Sequence, residues 1–141
     1  MDETGKKFDK LEANGENSSK EFIEEIKLDI LKSIKDNAYN ELYLVRLIKE
    51  YTHMYVDKSD KESMQEYINY VKSCVESLYD RSRKQDLIKY IGEYIDRDNK
   101  ESMQEYINYV KSFVEDLYDE YCKQELVKYI GKYIDRNNKK S

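Results

Sequence analysis

The chain has 141 residues, of which 39% are charged and 39% hydrophobic, and its formal net charge at pH 7 is −5. It contains no Pro and four Gly, and no apolar run approaches the ~18 residues that a membrane-spanning helix needs. This composition predicts a soluble, all-α protein and argues against a general affinity for nucleic acid.

The N-terminal segment, residues 1–17, contains Phe8 and Leu11 as its sizeable apolar side chains, among charges and two glycines. It lacks the apolar core of a signal peptide. We therefore expect a disordered tail, with a short docking motif around these two residues as the alternative. Cys74 and Cys122 are too isolated to suggest a disulfide framework, so the expected location is cytoplasmic.

A tandem repeat is the strongest signal in the chain. Residues 61–99 recur at 100–138 with nine of 39 positions changed and no gap. A fixed period of this size is typical of stacked supersecondary units. Within the first of these copies, apolar residues follow helical spacing from Met64 to Leu78 and again from Leu87 to Ile95. Polar residues 80–83 predict a short turn, so each copy is predicted to be a hairpin of two antiparallel helices.

A diverged copy precedes these two. Ser18, Ser59 and Asp98 are the predicted N-caps that begin the three units. The second helix of the first unit shares the apolar pattern of the later ones and is expected to continue for about one extra turn, through residues 52–55. The predicted architecture is all-α, with three antiparallel helical hairpins forming a short α-solenoid-like array or a closed six-helix bundle. The predicted hairpins are residues 18–58, 59–97 and 98–138, with a short tail to 141.

The third unit keeps the apolar residues of the second, although the terminal units of an open stack normally replace outward apolar residues with polar ones. Closure into a bundle would explain this, and so would a surface that contacts another protein or a second copy of the chain. We favour the contact surface, with half-exposed tyrosines beside it; packing at the edge of the core is the alternative for those tyrosines. The predicted interface residues are Val127, Tyr129, Ile130, Tyr133, Ile134, Tyr70 and Tyr109.

Two glycines lie inside the predicted second helices, Gly92 and its equivalent Gly131. A Gly in a helix interior costs about 1 kcal/mol relative to Ala. Close passage of another helix over this face would explain the cost. A neutral residue copied by the duplication is the alternative.

Basic residues recur every four positions along the last predicted helix, at Lys128, Lys132, Arg136 and Lys140. Such a row beside aromatic residues could hold the phosphates of nucleic acid or of anionic lipids. The alternative is a set of cations placed near a helix C-terminus, where the helix dipole favours them.

The sequence offers little for catalysis. His53 is the only histidine, so the Glu50–His53 pair lacks the second copy that a di-iron bundle requires. Cys74 is expected to be buried, and Cys122 to lie at a turn. We predict no catalytic, metal or cofactor site. The predicted function is a non-enzymatic protein-protein interaction module, a helical-repeat adaptor or regulator that binds another protein or itself; the alternative is a regulator that binds DNA or anionic membranes through the basic row.

Overall fold

The computed structural model describes residues 3–139, and within this range it contains seven α-helices and no strand. The all-α prediction is confirmed. No helix in the same range is both long enough and apolar enough to span a membrane. The helices are α1 (Glu3–Asn14), α2 (Lys20–Lys35), α3 (Glu41–Tyr51), α4 (Lys61–Ser77), α5 (Arg81–Ile91), α6 (Lys100–Glu115) and α7 (Glu120–Asn138).

The helices fall into two compact units. The first ends at Ile91 and contains α1 to α5, and the second begins at Gly92 and contains α6 and α7. In the first unit α2 contacts α1, α3 and α4, while α5 contacts α3 and α4. In the second unit α6 packs against α7. Two short 3-10 helices, Gly15–Asn17 and Gly92–Tyr94, follow α1 and α5.

The helices that open the three repeats begin one residue later than predicted. Their N-caps are Ser19, Asp60 and Asn99, and each side-chain oxygen accepts a backbone N–H from two or three residues further on, at 2.9 to 3.2 Å. Each of these bonds satisfies an N–H that has no partner inside the helix. The predicted caps Ser18, Ser59 and Asp98 are therefore wrong by one position.

The N-terminal segment is helical in its described part, so the expectation of a disordered tail over residues 1–17 is wrong for residues 3–17. Phe8 and Leu11 lie on one face of α1 and are 1% and 0% exposed. The ring of Phe8 makes edge-to-face contacts with Tyr39 and Tyr43, with centroids 5.3 and 6.2 Å apart. Burial of these two apolar side chains stabilises α1 on the first repeat by several kcal/mol, at about 1.5–3 kcal/mol each.

The second helices of the repeats differ in length, but not as predicted. α3 ends at Tyr51, and residues 52–55 form turns, so the extra helical turn expected there is wrong. Thr52 is the C-cap of α3, and its hydroxyl donates to the main-chain oxygen of Ile48 at 2.8 Å. α3 and α5 have 11 residues each, whereas α7 has 19.

Candidate protein-interaction site

The predicted interface residues of the third repeat lie in different environments along α7. Val127 is 53% exposed, and Tyr129 and Ile134 are half-buried. Ile130 and Tyr133 are only 3% and 7% exposed. The prediction of an interface role is therefore wrong for Ile130 and Tyr133, because these side chains lie on the buried face of the helix.

Two further predicted interface residues, Tyr70 and Tyr109, lie on the first helices of the second and third repeats. Tyr70 donates its hydroxyl to the main-chain oxygen of Lys27 at 3.0 Å, inside the first unit. Burial raises the pKa of Tyr70 well above its ordinary value of 10. Tyr70 is nevertheless only half-buried, so its interface role stays a prediction. Tyr109 is half-buried, and its role stays a prediction.

One repeated position shows how the third repeat differs from the others. Val45, Ile88 and Val127 are equivalent in the apolar pattern of the second helices. Their exposed fractions are 2%, 0% and 53%. The same change occurs on the first helices, where Cys74 and Val75 are buried and their equivalents are half-buried. We give the name end surface to Phe113, Val114, Val127 and Gly131, which are more exposed than their equivalents in the second repeat, together with Ile134, which is half-buried like its equivalent Ile95.

Within the first unit, the equivalent end of the first repeat is covered by tyrosine hydroxyls of the second repeat. The hydroxyl of Tyr67 lies 2.8 Å from the hydroxyl of Thr52 and donates to the main-chain oxygen of Ile48 at 3.3 Å. It also lies 3.0 Å from the hydroxyl of Tyr90. The last carbonyls of α3 have no backbone partner inside the helix, so the Tyr67 hydroxyl adds a second donor to the one that Thr52 supplies to Ile48.

Within the second unit, Gly92 is covered in the same way by tyrosines of the third repeat. Tyr133 donates its hydroxyl to the main-chain oxygen of Gly92 at 3.3 Å and lies 3.0 Å from the hydroxyl of Tyr129. The guanidinium of Arg97 lies 5.5 Å from the centroid of the Tyr133 ring. Burial raises the pKa of both Tyr106 and Tyr129 above 10, which keeps these hydroxyls protonated.

This cluster explains one of the two glycines. A Cβ atom on Gly92 would lie 2.5 Å from the hydroxyl oxygens of Tyr129 and Tyr133, and 2.8 Å from that of Tyr106. The expectation of a close approach at Gly92 is confirmed, although tyrosine hydroxyls rather than a helix backbone make it. A Cβ atom on Gly131 would have no neighbour within 4 Å. The same residue is therefore crowded by side chains in one copy and open in the next.

The basic row of α7 is less continuous than predicted. Lys128 and Lys132 are exposed, and Arg136 lies 3.7 Å from the carboxylate of Asp98. Lys140 lies outside the described residues. At 100° per residue, this row follows a different side of α7 from Val127. Tyr129 and Tyr133, which were expected to flank the row, direct their hydroxyls toward Gly92 instead.

Other features offer less for function. Between residues 3 and 139 no group of three or more His, Cys, Asp and Glu side chains is placed to hold a metal ion. Cys74 is buried, and burial raises the pKa of its thiol to about 12, whereas Cys122 is half-buried. An open groove of about 660 Å³ lies beside α3. Its cations Arg46 and Lys49 are already in ion pairs, at 2.9 and 3.0 Å.

Comparisons with known proteins give no functional assignment, so the proposal below depends on the geometry described above. No family model, no curated protein and no solved structure matches the chain.

Proposed function

We propose that this chain is a non-enzymatic protein-interaction module, an adaptor or regulator, whose partner docks on the end surface of the third repeat. The observation that carries the proposal is the exposure of 2%, 0% and 53% at the equivalent positions Val45, Ile88 and Val127. An apolar position that is buried in two copies and exposed in the third supports a contact surface there, because the same side chain type is left in water only in the third copy. Apolar area left in water is regained on docking at roughly 25 cal/mol per Å².

The arrangement of residues on α7 supports the same proposal. Val127, Gly131 and Ile134 follow the four- and three-residue steps that place side chains on one side of a helix. The glycine in the middle leaves room for a partner to approach the helix backbone closely, because nothing lies within 4 Å of its missing Cβ. A continuous apolar strip of this kind is typical of a protein-binding surface.

The test compares Val127→Lys with Gln104→Lys, a matched change at an exposed position of α6. Each tagged chain is recovered from its native cells and the co-purified proteins are quantified by mass spectrometry. Light scattering on the purified chains reports self-association. Val127→Lys should lower recovery of a specific protein, or of a second copy, at least tenfold, and Gln104→Lys should leave it unchanged.

A third variant, Lys128→Glu with Lys132→Glu, separates the alternative of an anionic partner. Binding that survives Val127→Lys and is lost in this variant would contradict the proposal and favour a nucleic-acid or membrane ligand on the basic row. Binding that is lost in neither variant would also contradict it.

A further inference from the structure

We infer that the end surface accepts a helical hairpin of the repeat's own type, which places tyrosine hydroxyls against the backbone at Gly131. This inference rests on the proposed function and specifies the partner. The partner is defined by its chemistry: two helices that present several tyrosine hydroxyls over the end of α7.

The first reason is that both equivalent ends in the chain are covered by this same chemistry. In the first unit the hydroxyl of Tyr67 donates to the oxygen of Ile48, near the C-terminal end of α3. In the second unit the hydroxyl of Tyr133 donates to the oxygen of Gly92, directly after α5. Ile48 is equivalent to Ile91, so the two accepting carbonyls are one position apart. A protonated hydroxyl suits this place, because carbonyls at the C-terminal end of a helix lack intrahelical donors and carry partial negative charge.

The second reason is that nearly the same sequence adopts two backbone structures, one where tyrosine hydroxyls cover it and another where they do not. Residues 89–95 and 128–134 differ only at Glu93 and Lys132. In the covered copy the α-helix stops at Ile91 and a 3-10 helix follows over Gly92–Tyr94. In the open copy α7 continues through the same sequence to Asn138. Local sequence does not decide between these structures, so docking at Gly131 should interrupt α7 as α5 is interrupted at Gly92.

A second copy of this chain does not present the required surface. In the first repeat, Ile26 and Leu47 stand at the positions of Tyr106 and Tyr129, two of the three tyrosines that cover Gly92, and Tyr51 stands at the position of the third, Tyr133. Ile26 and Leu47 are fully buried, so the first repeat offers one hydroxyl of this cluster where the third repeat offers three. The remaining tyrosines of this type, such as Tyr67 and Tyr133, already bond to carbonyls inside the chain.

The test extends the full chain with a further copy of residues 100–138, placed directly after Asn138 so that the 39-residue offset is kept. Gly131→Ala is then introduced into the original and the extended chains, and their urea midpoints are compared. In the original chain Gly131→Ala should raise the midpoint, because Ala is the better helix former and has no neighbour to meet. In the extended chain the same change should lower the midpoint, because hydroxyls of the added copy now occupy that space.

A control version of the extended chain carries Phe in the added copy at the equivalents of Tyr106, Tyr129 and Tyr133. The reversal of sign should disappear in it, because the hydroxyl oxygens are gone. Hydrogen exchange should show the added residues protected and the amides after Gly131 changed.

Two results would overturn the inference: a midpoint that rises with Gly131→Ala in both chains, or added residues that stay unprotected from exchange. A wild-type dimer that Val127→Lys dissociates would assign the end surface to a second copy instead. In each of these cases the proposed function stands or falls separately, on whether Val127→Lys removes the native partner.

Discussion

The two equivalent glycines allow the account to be tested with one substitution made twice. Gly92→Ala adds a methyl group where three tyrosine hydroxyl oxygens lie within 2.5 to 2.8 Å of the new atom. Gly131→Ala adds the same group in the middle of α7, where no atom lies within 4 Å. The backbone of neither residue is in the left-handed region, so the difference between the substitutions is one of packing.

The magnitudes follow from the surroundings of each site. At Gly92 two of the three rings cannot swing aside easily, because Tyr106 is 1% exposed and Tyr133 is 7% exposed, whereas Tyr129 is half-buried. Overpacking of this kind costs about 1–3 kcal/mol, and displacement of the Tyr133 hydroxyl from the Gly92 carbonyl costs about 1 kcal/mol more. At Gly131 the gain in helix propensity is about 1 kcal/mol. The two variants should therefore differ in free energy of unfolding by about 3–5 kcal/mol, with opposite signs relative to the wild type.

Urea unfolding followed by circular dichroism measures both changes. The double variant Gly92→Ala with Tyr129→Phe is the matched control, since it removes one of the two closest oxygens and should recover part of the lost stability. Equal shifts for the two glycine variants, or a neutral Gly92→Ala, would refute the reasoning, because the tyrosine cluster would then not be packed against Gly92 as described.

Three further outcomes follow from the packing and ionisation of named side chains. Phe8→Ala should lower the free energy of unfolding by about 3–5 kcal/mol. The control Lys6→Ala, at an exposed position of α1, should change it by less than about 0.5 kcal/mol. Small effects of equal size in urea unfolding would contradict the packing of α1 on the first repeat. Burial raises the folded-state pKa of Tyr106 above 10, so the unfolded chain loses that proton first and stability falls as pH rises above about 10, by about 1.4 kcal/mol per pH unit for this group. Tyr106→Phe should make the alkaline loss of stability shallower by that amount, and an unchanged slope would contradict the assignment. Iodoacetamide at pH 8 should alkylate Cys122 well before Cys74, which is fully buried with a thiol pKa of about 12; mass spectrometry showing equal rates in the folded protein would contradict the burial.

The duplication and the apolar periodicity were enough to predict the helices of the repeats, but not the direction of every face. The sequence predicts that the apolar side chains of α7 are exposed, yet Ile130 and Tyr133 are buried in the second unit. A helical period identifies a stripe without saying which edge of it faces a neighbour. The difference in exposure between Val127 and its equivalent Ile88 is visible only in the structure, because the second and third copies have nearly the same sequence.

The capping residues and α1 show two other limits of the sequence. Each repeat begins with two adjacent residues that can cap a helix, such as Ser59 and Asp60, and the pattern alone does not choose between them. Residues 1–17 contain two sizeable apolar side chains, which is typical of a disordered segment. The composition does not show that Phe8 and Leu11 become buried. Phe8 packs against residues of the first repeat such as Tyr39, and this contact is visible only in the structure.

The account's central claim, that a protein partner docks on the end surface, is tested most directly by cross-linking from that surface. A photoreactive side chain placed at Val127, and separately at Lys132 on the basic row, is activated in the native cells, and the products are identified by mass spectrometry. The account predicts one discrete protein adduct from position 127 and none, or a far weaker one, from position 132. Adducts of equal yield from both positions, or a discrete adduct from position 132 alone, would contradict it.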